Sequence, residues 1–131
     1  MAQRLLTIAM MLLAGFGFFA AGQLVVHHLQ TGETCPVILF VPLCVVVLGG
    51  YGAVLLSVIT RWRVRGLLFT VGLAPVLLLA SIGVASEVFV GETCPRTDGG
   101  VPQCYYSFGL AALILVLYVV RSIFFRSKLA D

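Results

Sequence analysis

Four cysteines carry most of the chemistry open to this chain of 131 residues: Cys35, Cys44, Cys94 and Cys104. They form two pairs spaced C-x8-C and C-x9-C, each opening in the string Gly-Glu-Thr-Cys-Pro, first at 32–36 and again at 91–95. Four cysteines allow three pairings. The local pairing joins Cys35 to Cys44 and Cys94 to Cys104. Each bond would close a loop of about ten residues, worth roughly 2–3 kcal/mol in a chain-entropy treatment. Structural staples are therefore one reading. Thiol–disulfide exchange is a second, because Cys44 and Cys104 fall at the third position of the helices that follow, where the positive end of the helix favours thiolate. Soft-metal binding or passage is a third, since thiolates suit copper, mercury or zinc. No cysteine or histidine has metal-ligand spacing, so no metal site is assigned; His27, His28, Glu33, Glu87 and Glu92 are the candidates beside the cysteines.

His27 and His28 close the first apolar run. An imidazole there suits an interface, and its positive charge suits a helix C-terminus, so capping competes with haem, quinone or metal ligation. At the offset of the repeated string His28 aligns with Glu87. A carboxylate meeting that imidazole would hold it charged or fix its tautomer. Glu33 and Glu92, present in both copies, read as caps on loop N–H groups.

The elements that must position these residues are membrane helices. Hydrophobic residues make up 61% of the chain and charged ones only 10%, with a net charge of +3 and a mean hydropathy of +1.15. A soluble domain carries roughly 25% charged residues, so a water-soluble enzyme, a disordered tail and a nucleic-acid module are excluded. Apolar runs cover 5–26, 37–60, 66–90 and 105–120. Each approaches the ~20 residues a helix needs to cross ~30 Å of hydrocarbon, and continuous runs read as helices rather than barrel strands. The first run, with Arg4 before it and Ala20, Ala21 and Gly22 at its end, has the outline of a signal peptide but the length of a retained span.

Arg4, Arg61, Arg63, Arg65, Arg121, Arg126 and Lys128 flank the termini and the middle loop, whereas only Arg96 lies on the other side, with Glu33, Glu87, Glu92 and Asp98. The positive-inside rule then makes both termini and the 61–65 loop cytoplasmic, with Trp62 an interfacial anchor and Tyr105 and Tyr106 an outer aromatic belt. No Asp, Glu, Lys or Arg lies mid-span; the polar groups there are Gln23, Tyr51, Ser57, Ser81 and Tyr118. That argues against a pump or coupled transporter. No phosphate loop, H-E-x-x-H or serine nucleophile with a partner base is present. Arginine-rich, lysine-poor usage points to a bacterial cytoplasmic membrane.

Beyond the repeated pentapeptide, Val41-Pro42-Leu43-Cys44 recurs as Val101-Pro102-Gln103-Cys104, one residue further on. The chain reads as two tandem helix–loop–helix halves, 1–62 and 63–131, related by a pseudo-two-fold axis along the membrane normal. Proline favours the first helical position, so Pro42 and Pro102 are expected to start helices that run to Thr60 and Val120. Small residues at Gly15, Gly22, Gly49, Ala53, Ser81, Ala85, Ser107 and Ala111 offer packing faces, and Pro75 is expected to kink the third helix. The expected fold is an all-α, four-helix membrane bundle.

Four helices, cytoplasmic termini and cysteine pairs at the outer face resemble the layout of the DsbB and vitamin K epoxide reductase families. The resemblance implies electron passage between cysteine pairs and a quinone cofactor. The C-x-x-C of those families is absent. The favoured expectation is a non-enzymatic subunit or scaffold with no cofactor, whose loops 29–41 and 91–101 dock a membrane or extracytoplasmic protein. The basis is that residues 36–41 are apolar where residues 95–100 are polar. Partners are then the bilayer, that protein and, through the small-residue faces, further copies of the chain.

Overall fold

The computed structural model describes residues 1–32, 37–60, 65–91 and 99–130, without the side chains of Ile38, Leu129 and Ala130. It is an all-α bundle of four helices: α1 (Ala2–Thr31), α2 (Leu43–Ile59), α3 (Arg65–Phe89) and α4 (Gln103–Ala130). Their lengths are 30, 17, 25 and 28 residues, or about 45, 25, 37 and 42 Å at helical rise. Among the described residues α1, α3 and α4 are long and apolar enough to cross a membrane, and α2 is a shorter apolar helix. Chain neighbours pack antiparallel and α4 closes back onto α1; the α2–α3 seam is the most extensive and the α1–α4 seam the least.

Several boundaries differ from the sequence reading, the largest difference being α4, which runs on past Val120 to Ala130. The segment expected as an apolar loop before α2 contains an antiparallel hairpin, β1 (Val37–Ile38) paired with β2 (Val41–Pro42). Pro42 therefore keeps extended backbone, with ψ 131°, and caps α2 rather than starting it; Thr60, with ψ 138°, does the same at the far end. Cys44 and Cys104 consequently stand second in their helices, not third. His27 and His28 do not end α1, which continues to Thr31 and stops where Gly32 turns left-handed, φ 77°, its N–H donating to the His28 carbonyl. Past α3, Gly91 also takes positive φ, 106°, one residue further on: the N–H groups of Val90 and Gly91 both donate to the Ser86 carbonyl. Both copies of the repeated string thus open on a positive-φ glycine just past the end of a helix.

The helices are apolar on every side, so what distinguishes their faces is size. On α1 the buried residues are Met10, Ala14, Gly17 and Ala21, while Leu5, Ile8, Leu12, Phe16 and Phe19 are exposed. Water would expel such a surface; hydrocarbon accepts it, and leaves close backbone approach and dispersion as the forces between helices. The buried core joins Met10, Tyr51, Val54, Phe69, Leu73, Val76 and Ile114 from all four helices. Ser57 is buried there with its hydroxyl donating to the Val54 carbonyl at 2.6 Å, and Ser81 donates to Leu77 at 2.7 Å. Such back-bonds within one helix satisfy a hydroxyl without a partner helix. α3 runs through Pro75 without a break.

The closest approach is made by glycines that the sequence reading passed over. A Cβ on Gly72 would lie 2.7 Å from the Gly50 carbonyl oxygen and 2.8 Å from Ala53 Cβ; one on Gly50 would lie 2.6 Å from the Gly72 carbonyl oxygen and collide with Val76. Gly17 is equally tight, 2.7 Å from the Tyr51 ring. By contrast Gly15 and Gly49, expected at the interfaces, face open space, and Ser81 and Ala85 are exposed. Gly72→Ala should therefore cost about 1–3 kcal/mol, read as lost helicity during denaturant titration in detergent. Gly49→Ala should be neutral or slightly stabilising, because only helix propensity changes there.

Candidate functional site

The candidate site lies at the end of the bundle where α1 and α3 stop and α2 and α4 begin. Cys44 and Cys104 sit in the first turns of α2 and α4, both half-buried. Neither is a free thiol: both are disulfide-bonded. Cys35, Cys94, Glu33 and Glu92 lie outside the described residues, so their pairing and contacts are not part of the described structure. His27 is exposed, and His28 and Glu87 are half-buried in the last turns of α1 and α3. All three belong to the cysteine end. Among the described residues no group of three or more His, Cys, Asp or Glu is placed to hold a metal ion.

The main concavity at this end escaped the sequence reading. It is a groove of about 830 Å³ between α1 and α4, floored by Tyr51 of α2. Its walls are apolar, with Phe16 and Leu24 on one side and Leu110 and Leu113 on the other; its polar groups gather toward the cysteine end, where His27, Gln103 and Tyr105 line it. The groove exists because α1 and α4 touch least of the packed neighbours. Tyr51 reaches across its floor, its ring over Gly17 and its hydroxyl 3.4 Å from both the Ser107 carbonyl oxygen and the Ser107 hydroxyl. At that length these are weak bonds, so the ring's packing, more than its hydroxyl, holds it.

Gln103 is the polar residue whose needs the fold leaves unmet. Its Oε1 is buried and accepts no hydrogen bond. A buried acceptor without a donor costs about 1–3 kcal/mol, and the spare N–H groups that the first turn of a helix offers do not reach this one. The sequence did hold a signal. Gln103 is the position at which Val-Pro-Gln-Cys departs from Val-Pro-Leu-Cys, so a polar group replaces leucine at the equivalent of Leu43.

The opposite end is held differently. Arg65 opens α3 and turns back on α2, its Nε donating to the Ser57 carbonyl at 3.1 Å and its Nη2 to the Val58 carbonyl at 3.3 Å. Those are carbonyls of the last turn of α2, which have no partner within the helix, and a cation there also meets the negative end of the helix dipole. Phe69 and Tyr118 stack beside it, centroids 3.9 Å apart and planes 12° from parallel.

No protein-family model, no curated protein and no solved structure matches the chain. What the site can do rests on its own geometry: an apolar groove, an unmet acceptor and two half-cystines at one end. Replacing Gln103 by its repeat counterpart, Gln103→Leu, removes the orphaned acceptor and should raise stability in detergent by about 1 kcal/mol, measured as a shift in the thermal unfolding midpoint.

Proposed function

We propose that this chain is a non-enzymatic subunit of a bacterial cytoplasmic membrane, built of two tandem helix–loop–helix halves, that docks a partner protein at its cysteine end. The observation that carries this reading is the turn of the β1–β2 hairpin. Leu39 and Phe40 both have positive φ, 52° and 68°. That is the two-residue hairpin geometry which Asn-Gly or Asp-Gly fills without strain, and a residue with a bulky Cβ substituent loses roughly 1–2 kcal/mol in it. Among the described residues nothing offsets the cost: Leu39 is 88% and Phe40 98% exposed. Two strained, projecting apolar side chains support a contact made with another molecule. The membrane setting is supported by α1, α3 and α4. The cytoplasmic placement of the termini and of Arg65 follows from the excess of basic residues at that end.

The reading includes two structural cystines, Cys35–Cys44 and Cys94–Cys104. The hairpin register supports the first. Val37 pairs with Pro42 and Ile38 with Val41, and Cys44 follows in the first turn of α2, two residues beyond the base of the hairpin. A bond there would tie the base of the hairpin and present the tip rigidly. The tandem halves are supported by Gly32 and Gly91, which both take positive φ and both open the repeated string just past the end of a helix.

The groove favours a second reading, a thiol–disulfide oxidoreductase linked to a quinone. Its apolar walls fit a lipophilic ring; the carbonyl oxygens of a quinone would accept from the Gln103 amide N–H, the Tyr105 hydroxyl or a His27 ring N–H, while the unmet Gln103 Oε1 would accept from a hydroxyl of the reduced form. A bound quinone would take up the two electrons and two protons that a pair of thiols gives up on forming a disulfide. Gln103 would orient that edge beside Cys104, its neighbour in the first turn of α4.

Two experiments separate these readings. The double substitution Leu39→Asn with Phe40→Gly keeps the turn while removing its apolar tip. It should leave the fold as stable or more so, and should abolish cross-linking from the hairpin to a discrete protein in native membranes. Cross-links to lipid alone in the unaltered chain would sink the docking proposal. Cysteine mapping by mass spectrometry without reductant should find both local cystines and find them intact after mild reductant; a labile cystine with co-purifying quinone would instead favour the oxidoreductase.

A further inference from the structure

We infer that the arginine end of the bundle holds a specific site for the phosphate of an anionic phospholipid, seated between Arg65 and Arg121. The inference rests on the reading of the helices as membrane spans. A cleft of about 560 Å³ opens there between the start of α1, the start of α3 and the last third of α4. Gln3, Arg65, Tyr118, Arg121 and Ser122 line it, with Phe125 at its apolar margin. Every polar side chain in that set can donate a hydrogen bond, and two are permanently cationic. The two arginines are close enough for their charges to oppose each other. No acidic residue lines the cleft among the described residues. Two like charges facing one cavity are unfavourable until an anion enters between them, and a guanidinium fork matches phosphate oxygens two at a time.

The cleft is built rather than incidental. Arg65 is fixed by its bonds to the Ser57 and Val58 carbonyls, which commit Nε and Nη2 and leave Nη1 without a partner among the described residues. Tyr118 is fixed by its stack on Phe69. Arg121 and Ser122 are half-buried, unlike Arg126 and Lys128 further along α4, which are exposed. The lipid is favoured over free phosphate by position. The cleft sits where α3 and α1 begin, at the level where a spanning helix meets headgroups, and exposed Phe125 gives its rim an apolar surface suited to an acyl chain. Basic pockets between helices on the cytoplasmic side recognise anionic headgroups by this chemistry.

The test uses the full chain in bilayer nanodiscs of phosphatidylcholine alone and of phosphatidylcholine with phosphatidylglycerol. Lipid retained after transfer to detergent is read by native mass spectrometry. The unaltered chain should retain phosphatidylglycerol in preference to phosphatidylcholine. Arg121→Gln should weaken that retention about fivefold. Arg126→Gln, which removes the same charge from an exposed site on the same helix, should not. Equal loss in both variants would reduce the effect to general surface charge and overturn the site. Displacement by inorganic phosphate as effective as by the lipid would make the ligand a soluble anion and overturn the lipid assignment. Incorporation into neither nanodisc would overturn the membrane reading itself, an outcome distinct from incorporation without lipid preference, which overturns only the site.

Discussion

The contact on which the bundle depends is the crossing of α2 and α3 at Gly50 and Gly72. Each glycine places bare backbone where a Cβ would strike the carbonyl of the other. In hydrocarbon a leucine gains little by leaving lipid for a neighbouring helix, so helices adhere where backbones come close and many weak dispersion contacts form at once. The α2–α3 seam accordingly carries the most contact in the fold, with Val54, Leu73 and Val76 buried around it. Gly17 extends the principle to α1, which closes on the Tyr51 ring because no side chain intervenes.

The same principle accounts for the seam that stays open. On the reading of the chain as two tandem halves, the α1–α4 seam is the counterpart of α3–α2. The repeat offsets then match Gly72 with Leu13 and Gly50 with Leu110. Both leucines are partly buried against the core. Two glycines let one pair of helices meet backbone to backbone; the equivalent places in the other pair carry leucines, of which Leu110 packs against Gly17 of α1. Leu110 also lines the groove. On that reading the two seams differ in side-chain volume at matched places, and the polar departure at Gln103 falls at the groove and not at the closed seam.

Composition and the length of the apolar runs were enough to read an all-α bundle of four helices. The lack of mid-span charge was plain, but the positive-φ glycines Gly32 and Gly91 were read only as part of the repeated string and not as the places where α1 and α3 stop. The faces of the helices were not legible. Hydrophobic periodicity marks a buried face by contrast with a polar one, and where both faces are apolar the contrast disappears. Gly49 and Gly50 are adjacent in sequence, and only the three-dimensional phase of α2 decides that Gly50 meets a neighbour and Gly49 does not. The groove was hidden for the same reason, since it is a thinning of contact between residues more than seventy positions apart. The hairpin was hidden because Val-Ile-Leu-Phe-Val carries none of the Asn, Asp or Gly that ordinarily announces a two-residue turn.

That missing signal is itself informative. The requirements of the fold and the residues present agree nearly everywhere: glycine at the crossing and at the positive-φ positions past α1 and α3, arginine on the last carbonyls of α2, hydroxyls turned back on their own helices. At Leu39 and Phe40 they disagree. The hairpin tip makes no core contact that would favour large apolar side chains there, and its backbone disfavours them. β2 passes into α2 at Pro42 with no intervening residue, so the tip is carried on a helix anchored by the tightest seam of the bundle. A strained pair held on so firm a base gains nothing for folding. On the proposed reading its return comes from what the two side chains meet beyond the chain, which is why the hairpin carries that reading and the well-satisfied core does not.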